Sequence, residues 1–111
     1  MSGLISMKFA TNKFPELENV VESEANAFTE TIARQVLGYA DAYCPRVTGR
    51  LASTGDVGSI PGGYAVTYGG GGVRYAAGVH ARKPWLVWAY ARAQGDIRTR
   101  LQLAAARAGN P

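Results

Sequence analysis

A chain of 111 residues, 47% of them hydrophobic, has the size and composition of one globular domain with a modest core, and its 14 glycines point to tight turns and loops. A lone cysteine, Cys44, excludes an internal disulfide and a thiol-built zinc cluster, and no apolar run approaches the roughly 20 residues that cross a bilayer. The net charge of +4 hides an asymmetry: residues 1 to 44 carry three basic against six acidic side chains, and residues 45 to 111 carry nine basic against two acidic. Such polarity suits copies that pack head to tail, the acidic side of one against the basic side of the next; a nucleic-acid patch is the competing explanation for the basic half. The opening "MSGLISMKFATNK" lacks the sustained apolar segment of a signal peptide, so the chain is expected to be soluble and cytosolic.

In "LISMKF" the residues Ile5, Met7 and Phe9 alternate with Ser6 and Lys8, which predicts a short strand with one apolar face. From Pro15 the pattern changes. Leu17, Val21, Ala25, Phe28, Ile32, Val36, Tyr39 and Tyr43 recur at steps of three or four, the stripe of one long amphipathic helix from about Pro15 to Tyr43. Pro15 suits a first helical position, Glu16 and Glu18 suit the positive end of the helix dipole, and Pro45 stops the helix. "RLASTGDVGSI", then "PGG", then "YAVTY" reads as an antiparallel pair of strands turning at Pro61 to Gly63, with Tyr64, Val66 and Tyr68 on one face. A third extended piece is expected from Val73 to His80. Pro84 then opens a shorter second helix with the stripe Leu86, Ala89, Tyr90, Ala93, Ile97, Leu101 and Ala104, which Gly95 interrupts at most locally, and about residues 106 to 111 fray.

Few residues suggest chemistry. The four glycines Gly69 to Gly72 are followed neither by Lys-Ser/Thr nor by a helix N-terminus at dinucleotide spacing, so they read as a loop between strands rather than a phosphate cradle. His80 has no second histidine or cysteine pair beside it and reads as a hydrogen-bonded structural residue, so neither a metal nor any other cofactor is expected. Ser53 and Thr54 lack a nucleophile turn, and Cys44 has one histidine in the whole chain to activate it, so an enzyme is not expected. Arg74, Arg82, Lys83, Arg92, Arg98, Arg100 and Arg107 could meet phosphates, with Tyr75 and Trp85 stacking on bases, yet Arg92, Arg98 and Arg100 point in three directions around a helix. Trp88 falls about 200° around that helix from Leu86, away from the stripe, either under the sheet or as an anchor for another subunit.

One block is more specific. "AYCPRVTGRLAS" gives a helix end, a proline and Thr-Gly-x-Leu; "YAAGVH" and "KPWLVWA" follow in order. Physically, Pro45 is expected to stop the helix, Gly49 can take the positive φ of a tight turn, Thr48 can bond nearby backbone and Leu51 is expected to re-enter the core at the start of a strand, which makes a structural corner between helix and sheet. The block, about residues 40 to 91, resembles the small head-tail connector or tail-completion (neck) proteins of long-tailed, siphophage-like bacteriophages. It departs from their pattern at Val47, where aspartate is common, at Ala52, where arginine is frequent, and in lacking Gly-Thr after His80, which leaves the branch of the family open.

The expected fold is α+β, with an antiparallel sheet of three to four strands on one long N-terminal helix and a shorter C-terminal helix in a single domain. The resemblance implies a structural virion protein, made in the host cytoplasm, whose copies form a homo-oligomeric ring, hexameric by expectation. It implies a place at the head-tail junction, contact with adjacent neck and tail proteins, non-specific proximity to DNA in the channel, and no membrane. Expected subunit-interface residues are Glu18, Glu22, Arg74, Trp88, Arg92 and Arg98, with loops such as 69 to 73 docking on adjacent rings. The alternatives are a tail terminator capping the tail tube and, from another class, a small basic nucleic-acid-binding protein.

Overall fold

A computed structural model describes residues 4–45, 50–69 and 76–107. Its elements in chain order are strand β1 (Ile5–Ala10), 3-10 turns at Thr11–Lys13 and Pro15–Leu17, helix α1 (Glu22–Tyr43) and the helical turn α2 (Arg50–Ser53), followed by strands β2 (Asp56–Ile60) and β3 (Gly63–Tyr68) and helices α3 (Ala76–Arg82) and α4 (Trp85–Arg107). The architecture is α+β: an antiparallel sheet of order β1-β3-β2 packs against α1, and α4 packs against α1 in turn. The alternation in β1 holds, with Phe9 buried, Ile5 and Met7 half-buried, and Ser6 and Lys8 turned outward. Tyr64, Val66 and Tyr68 share the face of β3 that meets the helices, and Val66 and Tyr68 are fully covered.

β2 and β3 form a hairpin whose two turn residues are Pro61 and Gly62. Gly62 takes a φ of 79°, the left-handed conformation that glycine adopts without a Cβ penalty. At the next position β3 passes so close to β1 that a Cβ on Gly63 would run into the carbonyl of Phe9.

The seam between the long helices is built at steps of three and four. Ala33, Val36 and Ala40 on α1 and Ala89 and Ala93 on α4 are fully buried where the two helices pack together. Gln35 Nε2 donates to Asp96 Oδ2 at 2.7 Å at the seam's edge, and Tyr68 ties sheet to helix by donating its hydroxyl to Asp41 Oδ1 at 2.7 Å.

Three expectations change. The helix expected from Pro15 begins at Glu22, because the 3-10 turn Pro15–Leu17 folds back on α4 to bury Leu17, and Val21, with ψ 139°, is still extended. Tertiary burial of Leu17 and the β-branched pair Val20-Val21 outweigh the local helical pattern. Glu22 and Glu24, rather than Glu16 and Glu18, therefore occupy the first turn. One consequence is that α4, with 23 residues, is no shorter than α1, with 22.

Second, Leu51 enters the core from a helical turn and not from a strand. The Thr54 hydroxyl donates to the Leu51 carbonyl at 2.6 Å and closes that turn before β2 begins. Third, residues 76 to 80 are helical rather than extended, since Ala76, Val79 and His80 lie at helical spacing and turn one face to the core. Gly95 does not break α4, and the Arg107 expected to fray is its last helical residue. The expectations for Thr48, Gly49, Gly70 to Gly72, Val73 to Tyr75 and the last four residues lie outside the described residues.

Gly63→Ala should destabilise the fold by about 1–3 kcal/mol through overpacking against β1, read as a lower melting temperature. Gly58→Ala, on the same sheet in open space, should stay close to the wild type.

Candidate subunit interface

The expected interface residues fall at two ends of the helix pair. Because α1 and α4 run antiparallel, the C-terminus of α1 meets the N-terminus of α4, and there Tyr43 and Trp88 make an edge-to-face contact with ring centroids 6.3 Å apart. Both rings nevertheless face solvent, Trp88 at 43% exposure and Tyr43 at 40%, with Val87 beside them at 51%. The sheet does not wrap this side of α4. One turn further on, Arg92 lays its guanidinium over the Tyr39 ring, 5.4 Å from the centroid. Cross-helix pairs Tyr43–Trp88, Tyr39–Arg92 and Gln35–Asp96 thus run in step along one border of the seam.

Glu18 and Glu22 are exposed at the other end, at the start of α1. They line a groove of about 470 Å³ whose apolar walls include Phe14, Pro15, Leu17, Val20 and Ala25, with no basic side chain among its lining residues. Phe14 packs edge-on against Phe28 at 5.8 Å, which holds the 3-10 segment against α1 and keeps the groove's shape. Arg98 points away from Arg92 and Trp88, as helix geometry predicts; it shares a second groove with Phe14, Glu16 and Tyr90, because six positions along α4 carry it to the side that faces the 3-10 segment. Arg100 lines a third groove with Glu24. Arg74 lies outside the described residues.

The remaining candidates are structural. His80 Nε2 accepts from the Leu86 N–H at 3.3 Å, satisfying one of the free donors at the start of α4, and the ring packs edge-on against Trp85 at 4.8 Å. The proton of neutral His80 therefore sits on Nδ1. Trp85 is fully buried between His80 and Tyr68, so it is core and cannot stack on bases as the sequence suggested. Cys44 is buried beside Pro45 at the end of α1, and of the expected corner Pro45 and Leu51 stand where the helix stops and the core resumes. Gly69 donates its N–H to the Thr54 hydroxyl at 2.9 Å, which fixes the start of the glycine run to α2. No group of three or more His, Cys, Asp or Glu side chains among the described residues is placed to hold a metal, and no helix among them is long and apolar enough to cross a membrane. Comparison with family models, with curated proteins and with solved structures gives no match.

What sequence reasoning missed is the groove. Its signal lies in Phe14 and Leu17, two apolar residues three apart ahead of α1, of which the periodic pattern takes Leu17 into the helix stripe and leaves Phe14 out.

Burial holds the His80 pKa below its ordinary value of 6.5. The unfolded chain then binds a proton more readily than the folded one, so this contribution to stability is complete above about pH 6.5 and is lost as pH falls through and below that value. Melting temperature should fall between pH 7 and pH 5.5 in the wild type and fall less in His80→Gln, which keeps an acceptor but does not titrate. Equal slopes would remove His80 from the account.

Proposed function

We propose that this chain is a structural protein of the head-to-tail junction of a long-tailed bacteriophage, a neck component that works by forming a ring of its own copies around the DNA channel and carries out no chemical step. The observation that carries this reading is a chain with two unlike and mutually complementary ends: an exposed Tyr43–Trp88 pair beside Arg92 at one, and the carboxylates Glu18 and Glu22 around an apolar groove at the other. Two such ends favour head-to-tail association, which closes into a ring when the rotation between copies allows. The motif order "YCPRVTG", "YAAGVH", "KPWLVWA" supports the phage assignment by resemblance.

The rival from another class, a small basic nucleic-acid-binding protein, draws on the net charge of +4. Its basic groups are dispersed: Arg92 lies on Tyr39, whereas Arg98 and Arg100 line separate grooves that also hold Glu16 and Glu24. A surface that follows a phosphate backbone presents its cations as one stripe.

Cryo-electron microscopy of particles carrying this chain should place its density between portal and tail tube. Density at the junction of tube and neck that belongs to the tube's own cap would favour the tail terminator, and absence from particles would refute a virion role. Reversal of Glu18 and Glu22 to lysine should weaken self-association several-fold at low salt and less above about 0.5 M, where screening shortens the reach of charge to a few ångströms. Equal association at every salt concentration would eliminate charge pairing.

A further inference from the structure

The structure also suggests where the exposed aromatic pair goes. We propose that the Tyr43–Trp88 knob of one copy inserts into the groove formed by Phe14, Pro15, Leu17 and Val20 of a second copy, with Arg92 set against Glu18 and Glu22 at the groove's rim. This deepens the ring reading above and rests on it only for the statement that copies associate.

Chemistry selects the occupant. The groove combines apolar walls with the polar side chains of Thr11 and Asn12 and carries two carboxylates with no basic lining residue, so it favours a guest that brings apolar area and positive charge together. The knob offers both: Trp88, Tyr43 and Val87 for the apolar walls and, one helical turn away, Arg92 for the carboxylates. An exposed tryptophan supported edge-on by a second ring is the kind of anchor that dominates protein interfaces, since it loses little conformational freedom on docking. The groove in turn is pre-formed, because Leu17 is buried against α4 and Phe14 is held by Phe28.

Distance excludes an intramolecular contact. Knob and groove sit at opposite ends of α1, and 22 residues of helix separate them by about 33 Å. Each copy therefore presents one knob and one groove in different places, and pairing them is heterologous: every copy gives and receives, so the assembly closes as a ring or grows as a filament.

The mass of the full chain and of two variants decides the matter. Trp88→Ala lacks a knob but keeps its groove, and Glu18→Lys/Glu22→Lys keeps its knob but spoils the groove. At low salt, and at a concentration just sufficient for the wild type to assemble, each variant alone should remain largely monomeric. Their equimolar mixture retains one working contact and should stop at a one-to-one dimer. A circular dichroism melt of each variant matching the wild type shows that folding is intact; both substitutions are at exposed positions. Variants that assemble like the wild type, or a mixture that yields no dimer, would overturn the knob-in-groove contact while leaving a ring built on other surfaces standing. Open filaments in the wild type, with a dimer in the mixture, would uphold the contact and refute the ring. A wild type that stays monomeric to about 1 mM would refute both.

Discussion

The close seam between α1 and α4 is the constraint on which the rest depends. Ala33, Val36 and Ala40 on one helix and Ala89 and Ala93 on the other are fully buried, and most of the bulk of this small core comes from Ile32, Leu86, Ile97 and the fully buried Trp85. With the register fixed by that contact, Trp88, one position before Ala89, is turned out of the core beside Tyr43. The same register leaves the start of α1 free to receive the 3-10 flap that carries Phe14 and Leu17. Both ends of the proposed interface are thus consequences of how two helices pack.

Much of this was legible in the sequence because the signals were periodic. Ile5, Met7 and Phe9 at period two, the stripe Leu86–Ala89–Ala93–Ile97–Leu101 at helical period, and Pro-Gly between two extended runs each name an element without outside help. Trp88 was placed off the stripe by simple rotation, and the structure leaves it facing solvent. The errors came where local pattern and tertiary burial disagreed. Leu17 fits the stripe of α1 when the pattern is extended backwards, yet its burial is achieved against α4 by a separate turn, and Val21, on the same stripe, is 65% exposed. "YAAGVH" is too short for periodicity to separate helix from strand, and its described part, residues 76 to 80, is helical. The groove escaped because its lining, Thr11 to Ala25, is one contiguous stretch whose shape depends on the burial of Leu17 against α4, a tertiary contact that the local pattern does not encode.

Charge and shape divide the work in this account. The acidic α1 and the basic α4 lie side by side in one elongated body, 48 Å in its longest dimension, so each end carries side chains from both halves of the sequence, Trp88 and Arg92 beside Tyr43 at one and Arg98 and Arg100 beside Glu16 and Glu24 at the other. Exposed charge of this kind steers and orders partners more than it binds them, while the proposed docking of the exposed Tyr43–Trp88 pair would supply affinity. A ring around a channel needs both: orientation so that every copy faces the same way, and enough apolar burial at each joint to hold a small domain whose own core is modest.

Negative-stain electron microscopy of the purified full chain, stripped of nucleic acid, tests the central claim most directly. Class averages should show closed rings with a central opening and one uniform diameter. A field of single small particles at every concentration, together with salt-sensitive binding to added DNA, would contradict it and favour a nucleic-acid-binding protein.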